Sequence, residues 1–564
     1  MKIPKDPVER KVLYEELTRQ CLASRADRFE FYKTARNYYL FGTSDESGAP
    51  YNKIESTIET LASFIYSPEG TRFSIHLGTT ADDADVLKVP KLSDEITEQW
   101  RTSGTHMRFG LAAKWSLVFG SMIIKAQWRM NQCRTYLVEP HQFGVLREDI
   151  VDLSDQEAFC MCYTTTKTQL NSDLLGNPRR ATIMAQIGKG GSSATSGMSE
   201  GMSRLILSNP VGGVSGSIAA TYGTAGGTVE NGLAGGRASY NYAPRVEADM
   251  VDMVDLYVWD DDTQDYQIVS MASPSVVIYD RPQAVVGVAK MPHFVVIRPQ
   301  SNLYDYFWGD SFSAKLAWLQ DWRTEDVANI RNLQKKQSDP PISGSGLTGI
   351  AEEKLLALKR AGGILGMNTP TAKIETHAPK MPENVFASLD QIDKMFDDTA
   401  GIGHILQGKG ESGVRSKGQA DLMARLGSSR PKARATMLEE CASELATLML
   451  RNVQDHSDQR FFAVDPADES KKLPFIASQF TTDYEVKVDA HSSSPIFVED
   501  RKVDAEKMLE AHVIDRETFL EMYDPPNLQV LQKKLKVLQA KEEKAHEQQM
   551  QAQQAQAAQK GGHK

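Results

Sequence analysis

The longest periodic stretch of the chain runs from Ser311 to Gln337. Its apolar residues fall at Phe312, Leu316, Leu319, Trp322, Val327, Ile330 and Leu333, close to the period of a helix. About 27 residues at roughly 1.5 Å each predict a rod about 40 Å long. Asp339, Pro340 and Pro341 end it, because proline lacks the N–H and biases its predecessor away from helix. A compact excursion rich in proline and glycine follows, with one short helix expected over Glu352–Leu358. Helix restarts at Pro382 and Glu383, carrying Val385, Leu389, Ile392 and Phe396 on one face. A loop punctuated by glycine, Gly401 to Gly413, then opens onto a third helix that reaches about Arg451 with Pro431 in its interior.

Upstream, residues 7–40 read as one helix with Val12, Leu17, Leu22, Phe29, Tyr32 and Tyr39 near a single stripe. Ile54, Ile58, Leu61 and Ile65 mark a second, stopped by Ser67 and Pro68. Thr71 to Leu77 alternates as a strand with Phe73, Ile75 and Leu77 inward. Leu92 to Phe119 is helical with a break near Gly104, and Trp100, Trp115 and Trp128 read as core residues. Met253–Asp260 and Gln267–Ser270 form a hairpin. Val276–Tyr279 and Phe294–Ile297 extend it into a mainly antiparallel β unit. Strand returns at Phe461–Val464 and Tyr484–Val488, and residues 501–545 are helical, with Leu528, Leu531, Leu535 and Leu538 at packing intervals. The expected fold class is α+β.

Composition narrows the picture. At 564 residues the chain exceeds one ordinary core, so two to four structural regions are expected. No run of about 18 apolar residues occurs, and the N-terminus lacks a signal-peptide core, so no membrane partner is expected. Between Gly188 and Gly236 the chain turns to Gly, Ser, Ala and Thr, too poor in large side chains to offset the entropy of ordering, and reads as a flexible insertion. Five cysteines, an odd count, argue against a disulfide framework. Cys160 and Cys162 share a strand face, but no neighbouring CxxC or histidine pair completes a four-ligand set, so they read as buried small side chains. The formal charge of −10 counts against tight, specific duplex binding, not against a conduit through which DNA slides.

Chemical motifs mostly fail on context. Gly344–Gly349 and Gly408–Gly413 both spell G-x-G-x-x-G, yet the first follows a double proline and the second a helix. A dinucleotide site needs a strand before that turn. Gly197–Gly201 spells a nucleophile elbow within low-complexity sequence. No phosphate loop and no H-E-x-x-H occurs, so neither a cofactor nor a metal is expected. His404 is either a tunnel-lining residue or an ordinary loop residue. Between Lys409 and Arg434 seven basic residues face only Glu411 and Asp421. For Arg425, Arg430, Lys432 and Arg434, the favoured reading is a solvated face or pairing between subunits with Asp390, Asp393, Asp397 and Asp398. For Lys409, Arg415 and Lys417, beside glycines, transient phosphate contact and an ordinary solvated loop both stand.

The order helix, excursion, helix, glycine loop, long helix resembles the portal (head-to-tail connector) proteins of tailed bacteriophages, particularly short-tailed phages. The likeness extends upstream, where Tyr39–Gly42 closes an N-terminal helix and Asn52–Ile54 opens another, and Phe119–Trp128 and Val138–Val145 look like that family's wing. The likeness covers most of the chain outside 186–243 and beyond 540, and it rests on element order rather than any one motif. It implies a portal fold: long stem helices, a mixed α/β wing, a small clip and a helical C-terminal crown. On this chain those would be 1–310 (N-terminal helices and wing, with 186–243 the insertion), 311–337 (stem helix), 338–381 (clip) and 382–400 (stem helix). The tunnel loop would be 401–415, the long kinked helix 416–453, wing strands 454–500, crown helices 501–547 and a disordered Gln/Ala-rich tail 548–564. Lys409, Arg415, Lys417 and His404 would border the DNA channel; Pro340, Pro341, Ser343, Leu347, Glu352 and Glu353 would dock partners.

The implied function is not enzymatic. It is a virion protein, assembled in the host cytoplasm into a homo-oligomeric, dodecameric ring that passes double-stranded DNA during packaging and ejection. Its partners would be the terminase packaging ATPase, a tail adaptor, and capsid and scaffolding proteins. The rival readings are a non-portal virion scaffold or adaptor, and a nucleotide-binding enzyme.

Overall fold

The computed structural model describes residues 1–26, 28–44, 48–68, 70–78, 83–129, 132–190, 250–272, 276–285, 287–300, 305–338, 342–345, 373–376, 385–401, 429–465, 468–480, 483–488, 505–511, 513–523 and 534–535. The chain mixes helix and strand, as the patterns predict.

The N-terminal helix is two helices. α1 (Pro7–Ala26) buries Tyr14, Leu17, Cys21 and Leu22, while α2 (Phe29–Phe41) buries Tyr32, Ala35, Tyr38 and Tyr39. The two stripes belong to different cores, so one straight helix does not serve both, and Val12 lies 61 % exposed off the stripe. α3 (Lys53–Ile65) matches its pattern: Asn52 Oδ1 accepts the Glu55 N–H at 3.2 Å, and Ile54, Ile58, Leu61 and Ile65 are all 0 % exposed. Each such burial stabilises by about 1.5–3 kcal/mol. After β1 (Phe73–Leu77) and the short α4 (Asp83–Val86), α5 (Val89–Thr102) and α6 (Thr105–Phe119) meet at Gly104, whose φ of +72° explains the break. Trp100 is fully buried; Trp115 and Trp128 pack on the same core.

Strands β2 (Met122–Arg129), β3 (Gln132–Val138), β4 (Phe143–Val145) and β5 (Ala158–Thr166) follow, then α7 (Lys167–Asp173) and α8 (Arg180–Gly190). The expected insertion boundary at 186 is therefore too early. Ile183 and Ile187, one turn apart, anchor α8 beside Leu170, Leu174 and Ile278, and residues 191–249 lie outside the described residues. Strands β6 (Met250–Asp260), β7 (Asp265–Ala272), β8 (Val276–Pro282) and β9 (Phe294–Ile297) complete this half.

The β unit is two sheets rather than one. β4 to β8 form an antiparallel five-stranded sheet in chain order, whereas β9 leaves β8 and pairs with β2 in the order β3-β2-β9. Burial on both faces places β9 there. Phe294 and Val296 point into an aromatic core shared with Phe143, Phe159 and Tyr257; Val295 and Ile297 point into the helical core. Ile123 and Ile124 of β2 divide the same way. The result is four layers: α1, the five-stranded sheet, the three-stranded sheet, and the helices. Cys160 and Cys162 share the sheet face toward α1, packed with Cys21 and Val254.

The C-terminal half supplies α9 (Phe312–Ser338), β10 (Ile342–Ser345), β11 (Lys373–Thr376), α10 (Val385–Ala400), α11 (Ser429–His456), β12 (Arg460–Asp465), β13 (Asp468–Ile476), β14 (Tyr484–Val488) and α12 (Arg516–Tyr523). Pro431 is the third residue of described α11, and residues 416–428, the expected N-terminal arm of the kinked helix, lie outside the described residues. β14 returns to pair antiparallel with β1, Phe73 opposite Val488. Of the leucines at packing intervals, Leu528, Leu531 and Leu538 lie outside the described residues. Among the described residues no helix is long and apolar enough to cross a membrane.

Candidate functional site

The region that the sequence singles out is built on α9 and α10. Arg323 Nε donates to Asp393 Oδ1 at 3.0 Å, and Ser388 Oγ donates to Asp326 Oδ2 at 2.7 Å. Numbers rise on α9 as they fall on α10, so the helices are antiparallel. The end of α9 and the start of α10 therefore lie at the same end of the pair.

The root of the pair is held by polar contacts. Ser313 Oγ donates to the Ala35 carbonyl at 2.7 Å, the Gln320 side chain donates to Tyr51 O and accepts from Lys53 N, and Tyr38 donates to Asp321. Phe312, Leu316 and Leu319 are buried there, as are Ile392 and Phe396 of α10. Beyond Gln320 the only buried residue of α9 is Ile330, at 8 % exposure, and Asn329, Arg331, Asn332 and Gln334 to Ser338 are all exposed. The outer half of α9 is a largely polar rod. A second apolar feature flanks its buried stripe: Trp318 and Trp322, 57 % and 40 % exposed, stack with centroids 6.3 Å apart and planes at 23°. On α10, Phe386 is 57 % exposed.

Between these helices, the two ends of the 338–381 excursion are tied by a ladder. β10 and β11 pair antiparallel from Ile342 opposite Thr376 to Ser345 opposite Lys373, which sets Ser343 against Glu375. Only turns and a short helix were expected here; the alternation in Lys373-Ile374-Glu375-Thr376 was the available signal. Gly344 lies inside β10, which removes the loop-to-helix context a phosphate cradle needs. Pro340, Pro341, Leu347, Glu352 and Glu353 lie outside the described residues.

His404, Lys409, Arg415 and Lys417 also lie outside the described residues. Both ends of their segment are placed, and they meet. Gly401 takes φ +74°, with its N–H on Asp398 O at 3.3 Å; a Cβ there would come 3.0 Å from Arg430 Cβ. Arg430 Nη1 donates to Asp398 O at 2.9 Å and Arg434 Nη1 to Ala400 O at 3.1 Å. Arg434 also reaches Gln300 Oε1 at 3.4 Å and lies over the Phe312 ring at 5.0 Å. Residues 402–428 thus leave and re-enter at one clasp, made by two arginines capping the orphan carbonyls and the negative dipole end of α10.

Arg430, which stays exposed, and Arg434 thus have carbonyl partners within the chain, which the expected solvated face or pairing between subunits did not include. The acidic run is also engaged within the chain: Asp393 with Arg323, and Asp397 with Lys53 at 3.7 Å. Long-range proximity, invisible in local spacing, decides both partnerships.

Among the described residues no cluster of three His, Cys, Asp or Glu side chains is arranged to hold a metal ion. No protein-family model matches the chain, and no curated protein matches it.

Proposed function

We propose that this chain is the portal protein of a tailed phage, a ring-forming subunit of the head-to-tail vertex that gives double-stranded DNA a conduit into and out of the capsid. The observation that carries the reading is the sequence of parts in one chain. An antiparallel helix pair rises from a layered body; a two-stranded ladder ties the excursion at its outer end, and an arginine clasp joins its inner end to the start of the long helix α11.

In this reading α9 and α10 are stem, 338–381 is the clip that docks the packaging ATPase and the tail adaptor, and 402–428 borders the channel. Lys409, Arg415 and Lys417 meet passing phosphates in salt-screened, sequence-blind contacts that favour sliding over holding. Trp318 and Trp322 supply an apolar flank of α9 for the neighbouring subunit. A heterologous contact of that kind closes into a ring when the rotation between subunits closes.

Negative-stain imaging of the purified chain tests this. The expected result is a closed ring with a central hole. Monomers or dimers alone, at micromolar concentration and at every salt concentration tried, overturn it. A compact assembly without a hole favours the scaffold or adaptor reading instead.

A further inference from the structure

The chain passes from the sheet layers into the helical core at two places: from α1 into α2, and from β9 into α9. Both crossings meet at one side chain. The Arg28 guanidinium carbon lies 4.7 Å from the Trp308 ring, 5.3 Å from the Tyr32 ring and 5.5 Å from the Tyr306 ring. Its Nε donates to the Tyr32 hydroxyl at 2.9 Å, and its Nη1 donates to the Tyr306 hydroxyl. The Trp308 indole N–H donates to Glu148 Oε1 at 2.8 Å, and the Phe307 N–H to the Glu148 carbonyl at 2.8 Å, which fixes a carboxylate in the same wall. Tyr32 and Trp308 are 1 % and 2 % exposed, so water competes weakly for the cation there.

These features match a guanidinium better than an ammonium. A planar, weakly hydrated cation lies against aromatic faces while its N–H groups, fixed in one plane, reach two hydroxyls at once. Cation–π attraction also strengthens when the partners are desolvated.

We propose that Tyr32, Tyr306, Trp308 and Glu148 form a guanidinium-recognition site, filled in cis by Arg28, whose occupancy clamps the α1–α2 junction to the segment entering α9. On one side of the clamp α1 packs on the five-stranded sheet through Leu17, Cys21 and Leu22. On the other, Gly309 N–H donates to Ser121 Oγ at 2.8 Å and Ser311 Oγ donates to the Val118 carbonyl, so the approach to α9 is anchored on β2 and α6. A movement of α9 relative to the sheets has to empty the cage or carry it along.

Amide hydrogen exchange over residues 7–22 reads the clamp. Arg28→Ala should raise exchange in α1 by about thirtyfold, the size of a desolvated cation–π contribution. Millimolar methylguanidinium, far below denaturing concentration, should return it toward the parent value; equal sodium chloride or methylammonium should not. Arg28→Lys should exchange nearly as fast as the alanine variant. Unchanged exchange in Arg28→Ala, or rescue by salt or methylammonium as good as by methylguanidinium, overturns the proposal, as does no rescue at all. Should Arg28→Ala fail to fold, Tyr306→Phe at the partly exposed rim is read instead. A rise of about two- to fivefold, as for loss of one hydrogen bond, supports the clamp and no rise overturns it.

Discussion

α9 and α11 have nearly the same length, 27 and 28 residues, and opposite surroundings. α11 is enclosed: Leu438, Ala442, Leu445, Leu448, Met449 and Val453 are each 2 % exposed or less, against β14, α3, β2 and β9. α9 is enclosed only over its first turns, and then carries one buried side chain, Ile330, across its outer half. α11 takes its stability from packing along its length, α9 mainly from packing over its first turns. The outer half of α9 has to rely on helix propensity and charge pairing, which sustain an isolated helix weakly in water. The difference locates the fixed frame in α11 and the surface available to other molecules on α9.

The largest expected effect lies at the centre of the enclosed helix. Leu445→Ala should cost about 2–5 kcal/mol by leaving a cavity, read as a fall in the denaturant midpoint with the slope unchanged. A loss under about 1 kcal/mol would break the contrast. On α9, replacing Trp318 and Trp322 together by alanine should leave the single chain's stability within about 1 kcal/mol. Assembly of the proposed ring should weaken by about 2 kcal/mol or more, as at interface hot spots, and sedimentation should shift to smaller species.

Acid should act on the enclosed side. Burial, and then the nearby Lys125 and His456, push His293 down to about 3, with Gly287 close against its ring. An unfolded histidine binds a proton near pH 6.5, before the folded one does. Its contribution is therefore complete above about 6.5 and is lost as pH falls toward 3, by up to about 1.4 kcal/mol per pH unit. Urea titrations of His293→Gln against the parent between pH 6.5 and 5 should show a flatter dependence in the variant. Arg434→Ala, which removes the Ala400 and Gln300 contacts and the Phe312 stacking, should cost about 1–2 kcal/mol and speed amide exchange in the last turn of α10. Asn332→Ala, on the exposed rod, should change the midpoint by less than about 0.5 kcal/mol.

What the sequence revealed was local. The i, i+4, i+7, i+11 spacing of Ile54, Ile58, Leu61 and Ile65 gave α3 because one turn of helix determines which of them align. The β6–β7 hairpin was legible for the same reason, as was the break at Gly104. Partners distant along the chain were not. Nothing near Phe294 indicates that β9 abandons β8 for β2, since a fully buried strand lacks the alternation that would reveal its faces. The split of α1 from α2 escaped for a related reason: near-periodic residues can feed two different cores. At the candidate site, periodicity gave the two helices, while the glycine-rich stretch between α10 and α11 lies outside the described residues. The arginine clasp escaped, because Arg430 and Arg434 look like any basic helix start until Ala400 is beside them.

The pairing of β1 with β14 has a consequence for biosynthesis. Phe73 leaves the ribosome long before Val488 is made, and at about 5–20 residues per second the wait is roughly 20–80 s. Throughout that interval Phe73 and Ile75 lack the strand that covers their edge, and closing so large a loop is entropically slow. A ribosome stalled short of Tyr484 therefore holds a chain whose helical core is open along one edge, the kind of unpaired strand that recruits chaperones or aggregates.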